Sequence, residues 1–261
     1  MTVEYVSGKK FYRLADHPVQ LVKAADEGRA DGRVGDYEIA VCSDKGTKRS
    51  TNEDSFGVSL LEGIVAVADG MGGHLCGEEA AAITIDSLIQ HSPSLKMFGR
   101  IIFSDKIIKD SWRKSVYAPG AAVAALQIGD RGIIRPTYAG DVRIYVFDGN
   151  GTLQYISKDQ SDLQRMWSGG QEVDEFNYPH RNVLTYAVGT SLPSQEEATA
   201  VCDVAAMDGL GVLGHIKQGN WQKKDVVHLS PEWKWIIATD GLHEYVRHQV
   251  ILREVKEKTN M

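Results

Sequence analysis

Residues 65–74 read VAVADGMGGH, an apolar run without alternation that ends in Asp69 and then in three glycines within four residues. An unbroken apolar strand is buried on both faces. Its end therefore delivers a carboxylate from the core into a loop with almost no side chain to cover it. Asp-Gly between strands ordinarily marks a hairpin, but a helix-compatible stretch beginning at Gly77 follows here in place of a partner strand. A phosphate-cradling loop fails as well. The pattern GxxxxGK[ST] is absent, Leu75 stands where GxGxxG needs its last glycine, and Asp69 would repel a pyrophosphate. A cation is the better companion for that carboxylate.

The device recurs. WIIATDG (residues 235–241) is a second apolar strand ending in Asp-Gly, again followed by a helix-compatible run, Leu242–Val246. In YAGDVR (138–143) Asp141 follows a strand-like run and a glycine, and in KRSTNEDSFGV (48–58) the pair Glu53-Asp54 directly precedes one. Any one of these is the ordinary mark of a solvated turn. Four at apolar strand edges are a different matter, because strand ends converge on one rim. Clustered carboxylates raise one another's pKa unless cations neutralise them. Oxygen donors with no His or Cys at ligand spacing favour Mg²⁺ or Mn²⁺ over zinc, and the neighbouring glycines let backbone carbonyls and water come close. A two-metal site roughly 3.5–4 Å across is the natural use of such a cluster.

The rest of the chain sets the frame. Its 261 residues, 43% hydrophobic and 25% charged, suffice for a large globular core. Residues 1–35 are polar and are expected to form an N-terminal extension with one short helix around Val19–Ala25; residues 36–261 are expected to form the folded domain. Strand patterns lie at Tyr37–Cys42, Ser55–Leu60, Ile64–Ala68, Ala121–Ile128, Ile133–Ala139, Arg143–Phe147 and Trp235–Thr239. Helical patterns lie at Gly77–Gln90, Ser104–Val116 and Ser161–Trp167. Strands in meander order with grouped helices predict an α+β fold rather than a doubly wound parallel sheet. With 29 basic against 35 acidic residues the formal charge is −6, which disfavours nucleic-acid partners and a metal nuclease alike. No apolar run reaches membrane length, and no apolar leader opens the chain. Cys42, Cys76 and Cys202 are odd in number and widely spaced, so a cytoplasmic setting without a disulfide framework is expected.

Five segments together resemble the metal-dependent Ser/Thr phosphatases of the PP2C (PPM) family in their bacterial form: SDKGTKRSTNEDS (43–55), VADGMGGHLCGEEAA (67–81), AGDVRIYVFDGNGTLQYISKDQS (139–161), YPHRNVLTYAVGT (178–190) and IIATDGL (236–242). The resemblance implies a four-layer sandwich, two antiparallel sheets packed face to face and flanked by helices. It implies hydrolysis of phosphoserine or phosphothreonine on proteins by a water activated at a binuclear Mn²⁺ or Mg²⁺ centre, with a looser third ion. Asp69 matches the carboxylate that bridges both metals, with the Gly70 carbonyl on one of them. Asp240 matches a ligand of the first metal, Asp54 serves the second, and Asp141 holds the third together with Asp240. Arg49 matches the arginine that grips the substrate phosphate, a role that suits a planar bidentate donor. The implied partner is a phosphoprotein, a partner kinase or its target. Residues 166–178, MWSGGQEVDEFNY, match the flap that tunes substrate choice.

The chain also departs from the family. Met71 stands where some members carry a histidine as general acid, Gly-Asp-Val-Arg (140–143) replaces Gly-Asp-Ser-Arg, Asp-Gln-Ser (159–161) replaces Asp-His-Ser, and Tyr186 replaces an arginine. The family supplies one more aspartate in an Asp-Asn motif on a last strand, and no aspartate follows Asp240 here. Weakened metal affinity and slower turnover are the corresponding expectation. The alternative is a weakly active or inactive PP2C-like regulator that binds phosphoproteins.

Overall fold

A computed structural model describes residues 2–6, 9–13, 20–22, 28–34, 37–47, 49–71, 76–90, 95–115, 118–129, 134–174, 177–192, 232–246 and 248–259. The strands are β1 Thr2–Val6, β2 Lys9–Arg13, β3 Gln20–Val22, β4 Gly28–Val34, β5 Tyr37–Ser43, β6 Asp54–Ser59, β7 Ile64–Met71, β8 Gly120–Ile128, β9 Ile134–Ala139, β10 Arg143–Phe147, β11 Leu153–Ile156 and β12 Lys234–Ala238. The helices are α1 Gly77–Gln90, α2 Met97–Ser111, α3 Asp162–Ser168, α4 Asp240–His243 and α5 His248–Thr259.

Four layers follow from how two strands divide their side chains. On β7, Ile64, Ala66 and Ala68 face α1 and α2; on β8, Ala121, Val123 and Ala125 do the same. The alternate residues, Val67 on β7 and Ala122, Ala124 and Leu126 on β8, face Ile144 and Val146 of β10 and Trp235 and Ile237 of β12. Tyr145, Phe147, Ile236 and Ala238 then turn outward against Ile251 and Val255 of α5. The order is therefore helices, five-stranded sheet, three-stranded sheet, helix. This is the expected sandwich, and it explains why the strand at residues 64–68 shows no alternation in the sequence: both of its faces are covered.

The five-stranded sheet runs β3-β6-β7-β8-β9 and the three-stranded sheet β11-β10-β12, all pairs antiparallel. The alanines let α1 lie close: a Cβ added at Gly57 on β6 would stand 2.5 Å from Ile85 Cγ2. A third sheet, β1-β2-β4-β5, is built mostly from the first 34 residues, with β2 and β4 parallel. The short helix expected around Val19–Ala25 is not found at Gln20–Val22, which pairs with β6 as a strand; residues 19 and 23–25 lie outside the described residues.

One helix differs further from expectation in its bounds. Helix α2 begins at Met97 rather than Ser104, because its buried stripe includes Arg100 and Asp105. Arg100 is only 1% exposed; it donates to the Leu88 and Leu95 carbonyls at 2.6 and 3.0 Å and pairs with Glu62. Helix α3 starts where the sequence places it, with Ser161 Oγ capping the Gln164 N–H at 3.2 Å. No helix among the described residues is long and apolar enough to cross a membrane.

Candidate functional site

The register of β6 on β7 sets Asp54 directly opposite Asp69. Both lie on the strand face that carries Phe56, Val58, Val65 and Val67, so by the strand period of two their carboxyl groups belong between the sheets. Like charges directly opposed destabilise a sheet, so the chain tolerates this pair against its own stability. The end of β12 meets them from the other sheet. Thr239 donates its hydroxyl to Asp54 Oδ2 at 3.0 Å across 185 residues of sequence, and the next residue, Asp240, opens α4. Asp240 stands close enough to Asp69 to raise the pKa of its carboxyl. Asp141, from the turn between β9 and β10, lies within electrostatic reach of Asp69 and Asp240.

The electrostatics follow. Burial first, then the charges of Asp54, Asp240 and Asp141, push Asp69 up to about 9. Burial raises Asp54 to about 6, with Asp240 and Glu53 adding to it and the Thr239 hydrogen bond opposing. Asp141 also rises to about 6, by burial and then by Asp159 and Asp240. At neutral pH Asp69 keeps its proton while Asp54 and Asp141 are mostly ionised, and positive charge supplied from elsewhere would lower all three.

Gly70 sits where no side chain fits. Its N–H donates to the Glu53 carbonyl at 3.1 Å, and a Cβ would stand 2.1 Å from the Gly77 carbonyl oxygen at the start of α1. Arg49 Nη1 is 2.8 Å from Glu53 Oε2, with its side chain 67% exposed. Arg49, Asp54, Asp69 and Asp240 line one cavity of about 1210 Å³, whose floor includes Val65 and Val67. Asp141 stands outside that lining. The structure thus gathers four of the five acidic and basic side chains expected at the site around one opening, with Asp141 beside it.

The donor chemistry fits a hard divalent cation: buried carboxylates, no sulfur, and a charge excess that burial makes costly. The side chains do not form a closed cage as they stand. Among the described residues no three His, Cys, Asp or Glu groups are gathered closely enough to hold an ion. Cation binding at this rim therefore calls for the carboxylates to close around the ion.

Sequence reasoning passed over three supports. Thr239 is one, and nothing in the sequence pairs it with Asp54. Arg143 is the second: its Nε and Nη2 meet Asp159 Oδ1 and Oδ2 at 2.7 and 2.6 Å. Burial works against that guanidinium charge, but Asp159 outweighs burial and keeps its pKa above the ordinary value. The third is His243, whose Nε2 is 3.2 Å from the Asp141 carbonyl. Residues 72–75, including His74, lie outside the described residues. Of the expected flap at 166–178, residues 175–176 do too; the remainder finishes α3 and turns back, with Trp167 Nε1 donating to the Val173 carbonyl at 3.0 Å. Tyr178 closes the loop by donating its hydroxyl to Asp162, which also takes Arg165.

No family model matches the chain. A protein phosphatase 2C-type protein of Streptococcus pyogenes is 28% identical over 181 residues, 61% of this chain and 71% of the relative. A serine/threonine phosphatase stp of Listeria welshimeri is 29% identical over 171 residues, 56% of this chain; the match spans 65% of the relative, just under two thirds of its length. Among solved structures, the serine/threonine phosphatase PstP/Ppp of Mycobacterium tuberculosis superposes with a TM-score of 0.54 at 22% identity, covering 82% of this chain and 85% of that one. PppA, described as a key regulatory component of T6SS in Pseudomonas aeruginosa, gives a TM-score of 0.55 at 19% identity and 90% coverage of both. The catalytic domain of a PstP in complex with two manganese ions gives 0.52 at 19%, covering 84% and 87%. These matches establish the fold.

Proposed function

We propose that this chain, which resembles the PP2C-type serine/threonine phosphatases in sequence and has their fold, hydrolyses phosphoserine or phosphothreonine on proteins at a divalent-cation centre. The observation that carries the reading is the shared opening of Asp54, Asp69, Asp240 and Arg49 onto one cavity between the sheets.

Asp69, Asp240 and Asp54 would hold two Mn²⁺ or Mg²⁺ ions, the Gly70 carbonyl joining them, and Asp141 with Asp240 a looser third. The chemistry such cations would supply there is neutralisation of phosphoryl charge and a water acidic enough to serve as nucleophile near neutral pH. The chain's own residues do the rest. Arg49, held at the rim by Glu53, offers a fork of donors to the substrate phosphate and stabilises charge on its equatorial oxygens. The Asp54–Asp69 register fixes two carboxylates on a rigid sheet, and Thr239 holds Asp54 in place from the opposite sheet. A phosphoprotein, a kinase or its target, is the substrate class that an open rim with one exposed arginine admits.

The test is release of phosphate from p-nitrophenyl phosphate and from a phosphothreonine peptide while Mn²⁺ is titrated in. Activity that requires Mn²⁺ and disappears in Asp69→Asn is expected. Tight phosphopeptide binding without turnover at any Mn²⁺ concentration would overturn it in favour of a phosphoprotein-binding regulator.

A further inference from the structure

Asp141 stands on a turn whose backbone is held at three polar groups by two residues from elsewhere in the chain. The Gly140 N–H donates to Gln160 Oε1 at 2.9 Å. The Gly140 carbonyl accepts from the Gln160 backbone N–H, also at 2.9 Å. The Asp141 carbonyl accepts from His243 Nε2 at 3.2 Å, across 102 residues of sequence. A carbonyl oxygen only accepts, so Nε2 must carry the proton. The other ring nitrogen, Nδ1, is buried with no hydrogen-bond partner among the described residues, so the ring is spent on this single bond. Gly140 itself has φ +103° and is pressed so close to β8 that a Cβ would stand 2.5 Å from the Ala122 Cβ.

We propose that Gln160 and His243 form a two-sided clamp that positions Asp141 against Asp240. The inference rests on the reading that these two acids share a divalent cation. Neither clamp residue touches the ion or the substrate; both act through the backbone of the turn. His243 and Asp240 begin and end the same four-residue helix, α4, so one short element presents an acid and ties down the backbone of the other. Gln160 stands where the family carries the histidine of Asp-His-Ser, and it completes the grip from the far side. The spacing of the two carboxylates is thereby set by rigid backbone links and not left to their mutual repulsion.

Mn²⁺ binding by titration calorimetry, and amide hydrogen exchange at residues 140–142 in EDTA, test the clamp. His243→Leu and Gln160→Leu should each weaken the looser Mn²⁺ site about 10-fold while sparing the tighter pair. Both should also speed exchange at the Gly140 turn in cation-free protein. His243→Gln, which keeps a donor, should restore binding and protection. Wild-type Mn²⁺ affinities in both Leu variants, while Asp141→Asn loses the looser site, would overturn the clamp and leave the metal reading standing. Unchanged binding in Asp141→Asn would overturn the metal reading and the clamp with it. Equal weakening of every site, unrescued by His243→Gln and accompanied by a lower unfolding temperature, would reduce His243 to a packing role and overturn the proposal.

Discussion

Asp69 is where function and stability pull in opposite directions. An unfolded aspartate titrates near 4, whereas folded Asp54 and Asp141 titrate near 6 and Asp69 near 9. Between these values the folded chain holds more protons than the unfolded one, so stability is full at low pH and is lost as pH rises through each folded pKa. In EDTA the unfolding temperature should therefore fall between about pH 5 and 9, by on the order of 5 °C or more; saturating Mn²⁺ should remove that fall. Asp69→Asn carries the same shape without the charge. In EDTA at pH 8 it should unfold no lower than the wild type and show a shallower pH slope above 6, while its Mn²⁺-dependent activity vanishes. Arg49→Ala should lower kcat/KM for phosphopeptide about 100-fold with little change in unfolding temperature, since its ion pair with Glu53 is exposed. The sequence disclosed these acids because each follows or precedes an apolar run. It could not disclose Thr239 or His243, whose partners lie 185 and 102 residues away.

Single elements are held by close approaches that tolerate little change. β7, the first turn of α1 and the Glu53 backbone meet at Gly70, and Gly70→Ala should cost about 2–3 kcal/mol, read as a lower denaturant midpoint together with weakened Mn²⁺ binding. Arg100 joins the ends of α1 and α2 through two carbonyls and Glu62. Arg100→Ala strands Glu62 and leaves a cavity, and should cost about 3–5 kcal/mol; Arg100→Met strands the same carboxylate but refills most of the space, and should cost distinctly less. Equal losses in the two variants would show that the lost ion pair and carbonyl bonds, not the lost packing, set the cost. That same arginine hid the start of α2, because a buried charge at an inward position breaks the apolar period. β11, LQYI, was missed for another reason: four residues after an Asn-Gly turn are too few to show alternation. β4, GRADGRV, escaped because two glycines and three charges hide it, and β3 because three residues show no period; pairing with β5 and β6 supplies what local propensity does not.

At the scale of the whole molecule the α+β class was legible in strand count and order, and the four layers came only with the family resemblance. Nothing local says that Val67 faces one sheet while Ala66 faces a helix; the faces exist only once the layers meet. The site is a seam in this sense, its acids divided between two sheets that share little else at that rim. Because Asp54 and Asp69 pair within one hairpin while the Thr239–Asp54 bond spans 185 residues, loop-closure entropy orders their assembly. On a ribosome, the first carboxylate pair is synthesised and can be paired long before the strand that carries Asp240 exists. The early pair then waits as a hairpin of opposed acids, and the rim is complete only once β12 docks against it. Fragments that end before residue 239 carry Asp54 and Asp69 without the side chains that meet them from the other sheet.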